Sequence, residues 1–256
     1  MKISCLMGTY GRYAMASESL SCFLDQTYNN KELIIINQHP VPLVFEHPQV
    51  KIYNVDANEL PTLQAIRRRG LELATGEYVH FWDDDDLMLP NHLSTYVENF
   101  NNNVVWKPSE VLMSNYNTEY SIASGNMEAT HLIKREFALS VPINKHDCDD
   151  HSLFAELKNH LKVHTLSHSE LTYVYRWANE SYHLSGQYGT KSMEDRIAES
   201  RSRSNDTGDG KPMIHYDMYN LRWKQMLEKI PQRFNKNEFQ KFKENLENHF
   251  NKKASI

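Results

Sequence analysis

The apolar positions in the first hundred residues switch between two periods. "KISCLM" (2–7), "KELIIIN" (31–37), "VKIYNV" (50–55) and "EYVHFW" (77–82) read as strands. "AMASESLSCFLDQ" (14–26), "PTLQAIRRRGLELA" (61–74) and "PNHLSTYVENF" (90–100) carry the three- and four-residue spacing of helices. This alternation predicts an α/β fold built on a mostly parallel central sheet flanked by helices. "ELIII" is a continuous apolar run of the kind a strand needs when both faces are covered. Pro61 and Pro90 stand where helices start and Gly76 just after one ends. Beyond residue 100 the pattern is more mixed. "VVWK" (104–107), "EVLMSN" (110–115) and "ELTYVYRW" (170–177) predict strands, and "DDHSLFAELKNHL" (149–161) predicts a helix. Residues 189–211 are polar and read equally as a loop that closes over a ligand or as a plain linker. Two amphipathic segments follow, 218–230 and 237–250, separated by Pro231, which predicts a C-terminal helical extension.

Composition narrows the classes. A chain of 256 residues with 40% hydrophobic residues can bury a substantial core. No apolar run approaches the ~18 residues of a membrane span, and the N-terminus reads as a strand, not a signal peptide, so a cytoplasmic protein without a membrane span is expected. Cys5, Cys22 and Cys148 are odd in number and irregularly spaced, which argues against a disulfide framework or a cysteine-rich zinc site. The net charge of −5 provides no global attraction for nucleic acid.

The chemistry concentrates in "FWDDDDLMLP" (81–90), four consecutive aspartates directly after a predicted strand. Ligands in open α/β sheets bind outside the carboxyl ends of strands. Closely spaced hard oxygen ligands suit Mg²⁺ or Mn²⁺, which are commonly shared between one or two carboxylates and substrate phosphates. The plainer reading is an acidic turn favoured by the dipole of the following helix, although capping requires one aspartate and four are present. A second acidic group, Asp147, Asp149 and Asp150 in "HDCDDHSLFAEL", precedes an amphipathic segment and reads either as a helix cap or as a source of a general base. Arg67, Arg68 and Arg69 are consecutive, so at most one or two can face the same ligand from a helix. Trp82, Trp106 and Trp177 could stack on a sugar, but large aromatics are more often core.

The order and spacing of these motifs resemble the family 2 glycosyltransferases, which have the GT-A fold, a Rossmann-like α/β architecture. "SCLMGTYGRYAMASESLSCFLDQTYNNKELIII" resembles that family's opening strand, turn, helix and second strand. "RRRGLELATGEYVHFWDDDDLMLPNHL" resembles its Arg-Asn-x-Gly, Ala-x-Gly-Glu-Tyr and Asp-x-Asp-Asp-x-x-x-Pro run, which contains the Asp-x-Asp motif. The resemblance extends from Ile3 to about Ser185. It implies that Asp85 and Asp86 bind the divalent ion, Mn²⁺ or Mg²⁺, and that Asp83 contacts the ribose or donor sugar, with Asp84 at the variable position. It further implies donor contacts from Thr9, Tyr10, Arg12, Arg67 and Arg176, a catalytic base at Asp150, and His183 as an additional metal ligand. Asn37 and Gln38 stand where the family has aspartates that read the nucleobase. The implied partner is a nucleotide-sugar donor, with a UDP-sugar expected because UDP is the commonest donor nucleotide in the family.

The implied function is metal-dependent, inverting transfer of a hexosyl or pentosyl group from a nucleotide diphosphate to an acceptor hydroxyl. The acceptor is open between a glycan and a hydroxylated base in DNA. Three alternatives stand beside it: a non-catalytic nucleotide-sugar-binding protein, a nucleotidyltransferase of similar architecture, and a structural protein whose acidic loops bind Ca²⁺. The expected organisation is a nucleotide-sugar-binding half at 1–100, an acceptor and catalytic half of the same domain at 101–188, a polar loop at 189–212 and the helical extension at 213–256.

Overall fold

A computed structural model of the chain describes residues 1–115, 119–142, 156–177, 209–212 and 236–253, together with Asp195, Ala198 and Glu228. The predicted first half is present nearly residue for residue: β1 (Ile3–Thr9), α1 (Tyr13–Leu24), β2 (Lys31–Asn37), β3 (Val50–Asn54), α2 (Leu63–Leu73), β4 (Tyr78–Phe81) and, after a two-residue strand β5 (Leu87–Met88), α3 (His92–Asn99). Strands β6 (Val105–Pro108) and β7 (Glu110–Asn115) follow, then β8 (Glu119–Ser124), β9 (Leu132–Lys134), α4 (Arg135–Ser140), β10 (Leu161–His164), β11 (Tyr173–Trp177) and the terminal helix α5 (Lys236–Lys253).

Two sheets result. The larger has seven strands in the order β10-β6-β9-β4-β1-β2-β3, and the smaller has four in the order β5-β11-β7-β8. In the larger sheet β1 pairs in parallel with β2 and β4, β2 with β3 and β10 with β6, while β9 is antiparallel to both β4 and β6. Every residue of β2 is buried, as a central parallel strand covered on both faces requires. The chain runs from β1 to β2 on one side and later returns to β4 on the other. The sheet therefore has its switch point beside β1, the usual place for a ligand crevice.

Details of the helix ends differ from the sequence reading. Pro61 and Pro90 lie one residue ahead of the N-caps Thr62 and Asn91, outside the helices, and the Thr62 hydroxyl accepts from the Ala65 amide. Gly76 has a packing role. A Cβ there would stand 2.7 Å from the Ser4 nitrogen, so the glycine lets the turn before β4 lie against β1. The helix expected over 149–161 ends early, since Leu161 already belongs to β10, and residues 149–155 lie outside the described ones. So do the segment 218–227 and nearly all of 189–208. No helix among the described residues is long and apolar enough to cross a membrane.

Trp82 and Trp106 are fully buried core residues. Beneath β4 runs a hydrogen-bonded chain of buried side chains. His80 Nδ1 lies 2.8 Å from the His131 carbonyl oxygen, His80 Nε2 lies 2.8 Å from His92 Nε2, and His92 Nδ1 lies 3.0 Å from the Thr172 hydroxyl. A carbonyl can only accept, so His80 donates through Nδ1, accepts from His92 at Nε2, and leaves His92 Nδ1 to accept from Thr172. Burial holds the His80 ring down at about 4 and His131 at about 3, and pushes His92 well below the ordinary histidine range.

Candidate active site

The four aspartates leave β4 at its carboxyl end and enter β5, so they form the joint between the two sheets. Local hydrogen bonds fix this passage. The Trp82 amide donates to the Leu6 carbonyl at 2.9 Å, extending the β1–β4 pairing by one residue, and the Ser19 hydroxyl of α1 donates to the Asp83 carbonyl at 3.0 Å. Beyond the run, Leu87 and Met88 pair antiparallel with β11.

The aspartate side chains have different partners. Asp83 is the most open, with 37% of its side chain exposed. Asp84 is buried and accepts from Arg12 Nη2 at 2.6 Å, while Asp85 accepts from Arg12 Nη1 at 3.0 Å. Burial pushes the Asp84 carboxyl up to about 6, with the Arg12 charge pulling the other way. Asp86 is buried and accepts from the Tyr173 hydroxyl and, at 2.7 Å, from the Arg176 backbone amide. Burial, then the charges of Asp85 and Asp83, hold Asp86 well above the usual carboxylate range. One oxygen each from Asp83, Asp85 and Asp86 lie within 4.8 Å of one another. Like charges at such separations repel by several kcal/mol, on the order of 4 at a near-surface dielectric, which a cation would relieve. Three convergent hard carboxylates are a donor set that fits Mg²⁺ or Mn²⁺.

Three arginines surround the run. Arg12 follows a turn in which Gly11 has φ 63°, a left-handed conformation that costs glycine nothing and brings the next side chain back over the sheet end. Arg176, on β11, donates through Nε to the Asp85 carbonyl and through Nη1 to Glu18 of α1 at 2.5 Å. Arg67, on α2, is buried, stacks its guanidinium 4.6 Å from the centre of the Phe81 ring, pairs with Glu128 and lies 3.8 Å from Asp83. Arg68 and Arg69, on the same helix, reach Glu72 instead.

At the end of β2 the Asn37 amide is fully buried. Its nitrogen donates to the Val41 carbonyl at 3.1 Å and to Asn54 Oδ1 at 2.8 Å, and its oxygen accepts from the His39 amide at 3.1 Å. Gln38 donates through Nε2 to the Leu60 carbonyl. Thr9 is buried at the end of β1, and Tyr10 packs edge-on against His39 with ring centres 5.1 Å apart. Thr9, Tyr10, Arg12, Arg67, Asp83, Asp85, Asp86 and Arg176 therefore come together at the carboxyl ends of β1 and β4, with Asn37 and Gln38 beside them at the end of β2. Asp150 and His183 lie outside the described residues.

Sequence reasoning missed Asp84, Glu18, Tyr173 and Glu128 at this site. Asp84 could have been found, because a carboxylate flanked by two candidate ligands needs its own counter-charge. The other three are separated in sequence from the residues they contact, Arg176 for Glu18, Asp86 for Tyr173 and Arg67 for Glu128, and give no local signal.

Comparisons with known proteins agree with this fold. A family model described as Glycosyl transferase family 2 matches residues 4–151. The chain is 31% identical over 96 residues to the glycosyltransferase YwdF of Bacillus subtilis, covering 36% of each protein. It is 32% identical over 114 residues to the glucosyl-dolichyl phosphate glucuronosyltransferase of Haloferax volcanii, covering 40% of this chain and 35% of that one. The matched stretch thus spans about a third of the length of these relatives. Among solved structures, S. aureus TarS 1–349 in complex with UDP-GlcNAc is similar with a TM-score of 0.54 at 13% identity, over 91% of this chain and 82% of that one. The complex of the same protein with UDP gives 0.52 at 14% identity, with the same coverage.

Proposed function

The chain belongs to glycosyl transferase family 2, and from that premise we propose that it is a metal-dependent, inverting glycosyltransferase that moves a sugar from a UDP-sugar to a hydroxyl of a glycan acceptor. The observation that carries this reading is the convergence of Asp83, Asp85 and Asp86 beside three arginines at the switch point of the sheet. A mixed acidic and cationic cleft of this kind suits a divalent ion together with a diphosphate. The UDP assignment is supported by the TarS complexes with UDP and UDP-GlcNAc, proteins of the same fold.

In this reading Asp85 and Asp86 hold Mn²⁺ or Mg²⁺, joined by His183, and Asp83 faces the ribose or donor sugar. The ion, when bound, neutralises the charge that develops on the departing diphosphate. Arg12 and Arg176 supply fixed positive charge to the same phosphates, acting as forked donors in a largely water-excluded setting. Asn37 braces the turn at 37–43, since both ends of its amide are engaged. Gln38, with its nitrogen donated to Leu60, offers the base its carbonyl, an acceptor suited to the uracil N3–H. Thr9 and Tyr10 complete the wall on the β1 side. Asp150 takes the proton from the acceptor hydroxyl as the oxygen attacks the sugar carbon opposite the leaving group.

The test is a thermal-shift titration of the purified chain with UDP, GDP, ADP and their sugar conjugates, each with and without Mn²⁺. A ligand that binds only the native state adds about 2.7 kcal/mol at a hundredfold excess over its dissociation constant. A Mn²⁺-dependent shift confined to uridine nucleotides, abolished by Asp85→Ala, is the expected result, and Asp150→Asn is expected to keep that shift while transfer stops. Undiminished donor affinity in Asp85→Ala would remove the metal assignment.

A further inference from the structure

The turn after β2 is clamped on several sides. Asn37 Oδ1 accepts from the His39 amide at 3.1 Å, Asn54 Oδ1 accepts from the Leu43 amide at 2.8 Å, and the Tyr13 hydroxyl donates to the Val41 carbonyl. Pro40 and Pro42 fix φ at two of its positions. A side chain on this turn is therefore presented by rigid backbone, directly after Gln38, the residue read above as the nucleobase contact.

The side chain in that place is His39, which is partly buried and stands edge-on to two rings, Tyr10 with centres 5.1 Å apart and Tyr13 with centres 6.2 Å apart. Its tautomer follows from one hydrogen bond. The Val41 backbone amide, which can only donate, lies 3.1 Å from Nδ1, so Nδ1 accepts and the neutral ring carries its hydrogen on Nε2. Burial lowers the His39 pKa, which favours that neutral ring. Among the described residues nothing accepts from the Nε2–H. Gln38 is the mirror case: its Nε2 donates to the Leu60 carbonyl, and among the described residues nothing donates to its Oε1. Consecutive residues thus offer one acceptor and one donor. Uracil presents the matching groups on one edge, an N3–H with a carbonyl on either side.

We propose that His39 is a base-contacting residue that sets donor specificity: its Nε2–H donates to a uracil carbonyl flanking the N3–H that Gln38 accepts. This inference rests on the reading of UDP as the donor nucleotide and of Gln38 as its base contact. A carboxylate at this corner would only accept, whereas this turn supplies an acceptor and a donor together and so reads two neighbouring groups of the base.

The experiment compares His39→Asn with His39→Gln on the full chain. Asparagine reproduces the near half of the histidine: its Oδ1 still accepts from the Val41 amide, but the distal N–H is gone. Glutamine reproduces the far half, with an Nε2–H in place of the ring's and no acceptor for Val41. UDP affinity is measured calorimetrically with Mn²⁺ for wild type and both variants, then repeated with 4-thio-UDP and 2-thio-UDP, in which sulfur, a weak acceptor, replaces one carbonyl oxygen. The expected result is a loss of about fivefold in His39→Asn, with His39→Gln within about twofold of wild type. One of the two thio substitutions should also weaken wild type and leave His39→Asn unmoved, because the contact it removes is already absent. A residue that only braces the turn gives the reverse order, with His39→Asn intact and His39→Gln weakened, and that order overturns the inference. So does wild-type affinity in both variants, or a thio effect as large in His39→Asn as in wild type. In each of these cases UDP binding itself stands. A wild type without Mn²⁺-dependent UDP binding overturns the UDP-donor reading and this inference with it. Where a variant does not fold, wild type decides, and equal affinity for UDP and both thio analogues overturns the inference.

Discussion

Arg12 is the residue at which charge balance can be tested most directly. Its guanidinium bridges Asp84 and Asp85, the second of which is a proposed metal ligand. A fixed positive charge next to a divalent ion opposes it by several kcal/mol at short range, on the order of 4 before solvent screening reduces it. Arg12→Ala is therefore expected to tighten Mn²⁺ binding to the nucleotide-free protein by about tenfold and to weaken UDP binding in the presence of Mn²⁺. Electron paramagnetic resonance of free Mn²⁺ reads the first effect and calorimetry the second. Weaker Mn²⁺ binding in the variant would contradict the opposition. The sequence identified Arg12 but assigned it to the donor alone. Four identical letters in a row do not reveal how far each carboxylate turns inward: Asp84 and Asp86 are each 1% exposed and Asp85 6%, whereas Asp83 keeps 37% of its side chain exposed.

At the scale of elements, the parallel core was legible because β1, β2 and β4 are long or uniformly apolar and separated by amphipathic helices. The remaining strands of the two sheets were only half legible. β5 has two residues and β9 three, too short for any period to show, and β10 is a polar "LKVH" with its middle pair exposed. Such strands exist because a neighbour offers a free edge, which local sequence does not encode. The contacts between elements make two predictions. Gly76→Ala forces a Cβ against the Ser4 backbone and should cost about 2 kcal/mol or more, in the range of overpacking, measurable by urea denaturation. Glu32, on β2, accepts from the Ser4 hydroxyl at 2.6 Å and the Thr75 amide at 2.8 Å and pairs with Lys2 and Lys51, tying β1, β3 and the turn before β4 together. Glu32→Ala should cost about 2–3 kcal/mol, most of it from buried donors left without their acceptor.

Across the whole molecule, the buried histidines couple stability to pH. Their folded-state values lie below the ordinary 6.5, so between about pH 4 and 6.5 the unfolded chain binds more protons and stability falls as the medium is acidified. Each such histidine contributes a loss on the order of 2 kcal/mol at pH 5, against a total stability of about 5–15 kcal/mol. Asp84 and Asp86, held above the usual carboxylate range, bind protons more readily in the folded chain and offset part of this loss over the same window. The urea midpoint, followed by tryptophan fluorescence, should still drop from pH 7 to pH 5, and a midpoint that rises on acidification would contradict a ring chain kept neutral. Glu32, held well below the usual carboxylate range, withdraws its own contribution only in more acidic solution, below about pH 4.5, so the two effects occupy separate windows. The aspartate run carries a different kind of constraint. It spans the gap between β4 of one sheet and β5 of the other, and both ends are held in register, Trp82 by Leu6 and Leu87 by Val174. Adding or deleting a single residue between them would turn every side chain of β5 to the opposite face. Surface loops of this chain can therefore drift in length over evolutionary time, but this stretch can vary only by substitution, and its residue count is the quantity descent must conserve.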